Sequence, residues 1–98
     1  MRVFSRGRLT AFWKKYPNSE KQLRTWYDII KKNEFKNSNE IIEVFGSADV
    51  VKGGKIVFNI CRNDYRLIVK FRYDKHLAFV LFIGTHEEYD KIDVEKLN

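Results

Sequence analysis

Cysteine and proline each occur once in these 98 residues, as Cys61 and Pro17. One cysteine excludes an intrachain disulfide and any metal site built on thiolates. Cys61 stands in an apolar strand context without an activating neighbour, so it reads as packing or loop filler, with a catalytic thiol a distant second. Long hydrophobic runs are missing too. The longest, Leu77–Gly84, is far too short to cross a bilayer, and Met1-Arg2-Val3-Phe4 leads into charged sequence without the apolar region of a signal peptide. The expectation is a soluble cytoplasmic protein. No HxxxH pattern or one-sided carboxylate cluster exists, so neither a metal nor another cofactor is implied.

What is present points to a folded, basic domain. Hydrophobic residues make up 44% and aromatics 15%, which argues for a globule and not a disordered tail. The length fits a single domain over residues 1–98, with a modest core and little room for a large catalytic cavity. Lys and Arg exceed Asp and Glu by 19 to 13, a net charge of +6 that favours a polyanionic or acidic partner.

The periodicity predicts helices first and a sheet afterwards, an α+β chain. A short strand over Met1–Phe4 is followed by Ser5 as an N-cap. Leu9, Phe12, Trp13 and Tyr16 form one helical face, which Pro17 ends. Ser19 and Gln22 suggest a capping box for a second helix carrying Leu23, Trp26, Tyr27 and Ile30. Both aromatic stripes are read as core, not as base-stacking surfaces. Glu40–Phe45 is expected to add a helical turn, and Ala48–Gly54 an irregular or weakly extended crossing.

From Lys55 the period becomes two. A tight turn at Arg62-Asn63 sets Asn59 opposite Arg66. A three-residue turn at Asp74–His76 sets Tyr73 opposite Leu77 and carries Arg66 beside Gly84. The shorter turn, which pairs Phe71 with Ala78, is set aside because it mixes the two faces. On this register Asn59, Arg66, Lys70 and Arg72 lie among Val57, Ile68, Val80 and Phe82 on the face away from the helices. Gly84 is expected to leave space beside Arg66, with His86 and Tyr89 at the same end.

The segments Phe58-Asn59-Ile60, Asn63-Asp64-Tyr65-Arg66-Leu67 and Phe82-Ile83-Gly84-Thr85-His86-Glu87-Glu88-Tyr89-Asp90-Lys91-Ile92 closely resemble the HigB branch of the RelE-like toxins, the toxin halves of bacterial type II toxin–antitoxin systems. The likeness covers nearly the whole chain and is most specific in the last forty residues. It implies a RelE-like fold, with two N-terminal helices on a small, mainly antiparallel sheet and a short C-terminal helical segment. It also implies an endoribonuclease that cuts mRNA on the ribosome, and a HigA-type helix-turn-helix antitoxin that neutralises it and represses the shared operon. One departure stands out: the family tends to carry glycines where this chain has Cys61 and Arg62.

RNA supplies its own nucleophile, the 2′-hydroxyl beside the scissile phosphate, so such an enzyme needs alignment, proton transfer and charge neutralisation. Arg66 is the expected stabiliser of the phosphorane, since its planar fork matches two phosphate oxygens. His86 is the natural proton-transfer group, with a helix-cap or loop histidine as the alternative. Tyr89 is expected to stack a base or donate to the phosphate, or else to pack a short terminal helix. Asn59 and Asn63 orient substrate or the turn, where Asn63 can supply the positive φ of a tight hairpin. Lys55 and Lys70 serve as positioning charges for RNA. A non-catalytic RNA- or ribosome-binding module using the same basic face is the competing reading. A DNA-binding regulator is disfavoured because aromatics consume the helical stripes, leaving DNA contact to the antitoxin.

Overall fold

The computed structural model describes residues 1–98. A strand β1 (Arg2–Phe4) leads into helices α1 (Arg6–Lys15) and α2 (Glu20–Lys32), separated by a 3-10 turn at Pro17–Ser19. Helix α3 (Ser38–Val44) and strand β2 (Asp49–Val51) precede the long strands β3 (Lys55–Ile60), β4 (Tyr65–Arg72) and β5 (Leu77–Thr85). Helix α4 (His86–Asp90) and a 3-10 turn at Val94–Lys96 close the chain. The strands form one mixed sheet in the order β1-β5-β4-β3-β2, in which only the β1–β5 pair is parallel. This is the α+β architecture expected, with α3 and β2 better formed than their sequence suggested.

Both helical stripes face the sheet. Leu9, Phe12 and Trp13 of α1 and Leu23, Trp26 and Ile30 of α2 are buried against Phe58, Leu67, Val69 and Val80. Tyr16 and Tyr27, at the margins of the stripes, are only partly buried. Phe58 takes edge-on contacts from Trp26 and Phe45, with centroids 5.5 and 5.2 Å away, so the end of α3 seals the core over β3.

The expected helix starts are corrected. Ser5 makes no capping bond; it adopts a left-handed conformation with φ of 68°. Ser19 does not cap α2 either, because Pro17 begins a 3-10 turn that runs straight into the helix. The buried Ser19 hydroxyl donates instead to the Tyr16 carbonyl at 2.7 Å.

Register near Arg66 is as the sequence implied, with Asn59 opposite Arg66 and Arg66 opposite Gly84. At the far end it is one residue off: Leu77 pairs with Arg72, and Phe71 does pair with Ala78. A bulge at Leu81 reconciles the two, because it adds one residue to β5 between the partners of Val69 and Ile68. Ala78 and Val80 therefore point into the core, and Phe79 takes the outward place opposite Lys70 that had been assigned to Val80. The Leu81 carbonyl accepts from Arg8 Nη1 at 3.1 Å.

The β3–β4 turn also departs from expectation. Positive φ falls on Cys61 (52°) and Arg62 (61°), not on Asn63. These are the positions where the family tends to carry glycine, which reaches the left-handed region without the Cβ cost of other residues. Replacing Arg62 with glycine is expected to raise stability by about 0.5–1 kcal/mol, the left-handed strain relieved outweighing the added unfolded-state entropy. Chemical denaturation of both proteins checks this; an unchanged or lower midpoint contradicts it.

Candidate active site

Strand β4 delivers Arg66 to the sheet face opposite the helices, and β5 runs alongside it into α4. Two hydrogen bonds hold the guanidinium: Nη1 donates to the carbonyls of Asn63 at 3.1 Å and Tyr65 at 3.2 Å. Its Cζ lies 5.7 Å from the centroid of the Tyr89 ring. Of the five N–H groups of an arginine, those on Nε and Nη2 bond to no protein atom. That edge is the fork suited to a phosphate, and the contacts on Nη1 fix its orientation in advance.

Helix α4 brings the second group. Its first turn is anchored twice: the His86 amide donates to the Asp64 carbonyl at 3.0 Å, and Thr85 and Glu88 form a reciprocal capping box. The Thr85 amide donates to Glu88 Oε1 at 2.8 Å and the Glu88 amide to Thr85 Oγ1 at 3.2 Å. The Thr85 amide, above all, holds the Glu88 carboxyl below its ordinary value, with smaller help from the Thr85 hydroxyl and from Lys15 and Lys91. Because the folded value is the lower one, this cap is intact above the usual glutamate range and is lost as pH falls through the depressed folded value. Hydrogen exchange of the Thr85 and His86 amides should therefore accelerate on acidification, beyond its intrinsic dependence, more in the wild type than in Glu88→Gln. Equal profiles would remove the cap from the account.

His86 and Tyr89 lie three residues apart on this helix, on neighbouring positions of one face. Asp90 Oδ2 stands 3.0 Å from His86 Nδ1, an i, i+4 contact on α4. About half of the His86 side chain is exposed. The i, i+4 spacing of Asp90 from His86 is the one signal of this contact in the sequence.

Gly84 does not leave a gap beside Arg66, contrary to expectation. A Cβ there would lie 2.5 Å from Phe82 Cζ and 3.1 Å from Glu88 Oε1, so the Phe82 ring and the capping carboxylate already fill the space. Gly84→Ala is expected to push Phe82 or Glu88 aside, costing about 1–3 kcal/mol and disturbing the seat of α4. Thermal unfolding measures the loss, and an unaltered melting temperature contradicts it.

The remaining proposed RNA contacts separate. Asn59 pairs with Arg66, but its Nδ2 donates to the Ser47 carbonyl at 3.1 Å and holds the chain before β2. Asn63 is exposed in the turn and contributes its carbonyl to Arg66. Lys70 lies four residues along β4, roughly 13 Å from Arg66, where it lines a distinct shallow groove with Arg72 and Phe79. Lys55 is withdrawn altogether. It is 4% exposed, and its Nζ donates to the carbonyls of Val94 at 2.9 Å and Glu95 at 3.0 Å. Its charge ties the C-terminal turn to β3 instead of facing RNA. Lys55→Ala is expected to cost about 1–3 kcal/mol through loss of charged hydrogen bonds, with little change in RNA affinity.

The Cys61 thiol is pushed up by burial and secondarily by the nearby Asp64 charge, so it keeps its proton at neutral pH and is a poor nucleophile. No group of three or more His, Cys, Asp or Glu side chains converges anywhere in the fold.

Residues 19–92 match the HigB_toxin family, described as the RelE-like toxic component of a toxin–antitoxin system. The chain belongs to this family. Similar proteins include the mRNA interferase HigB of Escherichia coli O6:H1 (strain CFT073), 29% identical over 94 residues that span 94% of this chain and 91% of that protein. The mRNA interferase toxin HigB of Escherichia coli K12 is 27% identical over 92 residues, covering 92% and 88% respectively. The mRNA interferase HigB of Shigella flexneri matches at the same level. The matched region of the family includes the β3–β4 hairpin, Arg66 and the Gly84–Asp90 segment. No helix is long and apolar enough to cross a membrane.

Proposed function

We propose that this HigB-family toxin is a ribosome-dependent, metal-independent endoribonuclease that cuts mRNA in the cytoplasm. The observation that carries the reading is the unpartnered Nε/Nη2 edge of Arg66, held in place through Nη1 within one strand pairing of α4. The 2′-oxygen attacks the adjacent phosphorus, the bond to the 5′-oxygen breaks, and the products are a 2′,3′-cyclic phosphate and a free 5′-hydroxyl. Charge develops on the non-bridging oxygens during this exchange, and the Arg66 fork neutralises it. His86, with the Asp90 carboxylate 3.0 Å from its Nδ1, takes the proton from the 2′-hydroxyl or gives one to the departing 5′-oxygen. Tyr89, packed against the guanidinium, offers a ring for stacking and a hydroxyl for the phosphate. Asn63 shapes the turn beneath Arg66.

Only one imidazole stands in this constellation, which is why the ribosome is given the task of aligning the strand. A HigA-like helix-turn-helix antitoxin is the proposed partner, and DNA is reached through it alone. Both long helices bury their apolar faces on the sheet, which leaves no recognition helix on the toxin itself. Primer extension on translated and untranslated copies of one transcript tests the reading. Cleavage confined to the translated copy is expected. Equal cleavage of both would remove the ribosome requirement, and growth arrest without cleavage would favour a non-catalytic ribosome binder.

A further inference from the structure

Strand β2 reaches only as far as Val57 along the edge of β3, so residues 58–60 have no strand beside them. The Gln22 side chain of α2 takes that place. Its Oε1 accepts from the Cys61 amide at 2.7 Å, and its Nε2 reaches the Asn59 carbonyl at 3.4 Å. On the other side the chain leaves α3 through a turn in which the Ala48 amide donates to the Phe45 carbonyl at 3.0 Å. Asn59 Nδ2 pins that turn through the Ser47 carbonyl at 3.1 Å. Between α2, the turn and β3 lies a cleft of about 250 Å³.

The inner wall of the cleft is aromatic and buried. Trp26 is 1% exposed and Phe58 2%, and Phe58 takes both Trp26 and Phe45 edge-on. The mouth is polar, with Gln22 and Ser47 exposed, and no acidic or basic side chain lines any part of it. Trp26 Nε1 is the one buried side-chain nitrogen or oxygen in the molecule that meets no hydrogen-bond partner. Folded proteins seldom leave such a group unpaired, because it loses water and gains nothing in return. An indole N–H can only donate, so the missing partner is an acceptor.

We propose that this cleft binds a small, neutral, planar aromatic molecule whose carbonyl or ring nitrogen accepts from Trp26 Nε1. Aromatic walls favour a flat ring. The lack of any cation in the lining disfavours phosphates and carboxylates, so RNA is not the occupant. A cavity of about 150 Å³ accepts benzene and pockets of about 300–1,000 Å³ accept drug-sized ligands, so the size suits one or two rings. An apolar side chain of a partner protein would fill the volume but leave the indole donor unpaired. Residues 65, 67 and 69 of β4 face the helices with the cleft, which puts Arg66 on the other side of the sheet. The site therefore stands independently of the cleavage reading.

The test titrates the full chain with two probes of the same outline: coumarin, which carries a carbonyl acceptor and no donor, and naphthalene, which carries neither. The two indole N–H signals of the protein, from Trp13 and Trp26, are followed by NMR together with the Ala48 and Asn59 amides. Coumarin is expected to move the Trp26 signal saturably, with a dissociation constant of about 0.1–1 mM, and to leave Trp13 in place. Naphthalene should bind about 10-fold more weakly, the usual value of one satisfied buried donor. Trp26→Phe keeps an aromatic wall and removes the N–H. Coumarin, read on Ala48 and Asn59, should then bind no better than naphthalene, whose own affinity is retained as the check that the cleft survives. Equal binding of both probes to the wild type overturns the proposal, as does a Trp26 signal that stays put at several millimolar coumarin. A Trp26 signal that moves only when an antitoxin is added would make the cleft a protein-docking groove and likewise overturn it.

Discussion

Arg66→Ala is expected to slow mRNA cleavage by about 10²- to 10³-fold, the usual cost of removing one donor aimed at charge that develops in the transition state. Growth arrest should vanish with it. The folded state should barely respond, because the guanidinium lies on the outer face and contributes only its two Nη1 bonds to nearby carbonyls. Arg66→Lys is the sharper variant. It keeps the charge but loses the fork, so it should recover only part of the rate. Full recovery would show that a point charge suffices and that the geometry of the Nε/Nη2 edge is irrelevant. An Arg66→Ala protein that still arrests growth through ribosome occupancy would leave a binder in place of an enzyme.

The second large effect is expected at His86. General acid–base catalysis by one positioned group is typically worth about 10²–10⁴-fold, and no other imidazole stands at this end of the sheet. His86→Ala should therefore cut the single-turnover rate within that range without altering the capping box, which uses Thr85 and Glu88. Asp90→Asn leaves the imidazole in place but removes the carboxylate charge beside it, so a smaller loss is expected. Combining His86→Ala with Arg66→Ala should cost less than the product of the two single effects, since both act on the same transition state. A wild-type rate in His86→Ala would reduce this histidine to a turn residue at the head of α4.

The Arg66 end of the sheet was legible in the sequence because several constraints agreed there. Apolar alternation fixed which face of β4 was buried, and the short β3–β4 connection then left one pairing for Asn59 and Arg66. The far end of β5 was not legible. Leu77–Ile83 is apolar at nearly every position, so alternation could not distinguish Ala78 and Val80 from Leu77 and Phe79 as the buried pair, and nothing announces the bulge at Leu81. Local chemistry misled at Ser5 and Ser19, where a hydroxyl before a helix looks like a cap but the backbone enters with other dihedrals. Long-range partners were beyond reach as well. A lysine in an alternating strand gives no hint that its ammonium meets Val94 and Glu95 some forty residues on. The cation contacts of Trp13 and Tyr27 were hidden for a related reason: the stripes were assigned to the core, and only the structure shows that these rings also lie beneath Arg24, Arg6 and Lys31.

The same fold keeps the proposed catalytic end small. Arg66, His86 and Tyr89 are held by backbone carbonyls, a capping box and one neighbouring carboxylate, without an enclosing pocket. Such a site can stabilise a phosphorane, but it has few contacts with which to bend RNA into the in-line geometry that attack requires. Under the proposed function the ribosome makes up that shortage by aligning the strand.

The most direct measurement is a single-turnover cleavage assay on ribosome-bound mRNA carrying one 2′-deoxy nucleotide at the cut site. The all-ribose message should be cut to a fragment ending in a 2′,3′-cyclic phosphate, and the deoxy-substituted message should remain whole at that position. Cleavage of the deoxy message at an undiminished rate would contradict attack by the 2′-hydroxyl and the catalytic roles given to Arg66 and His86.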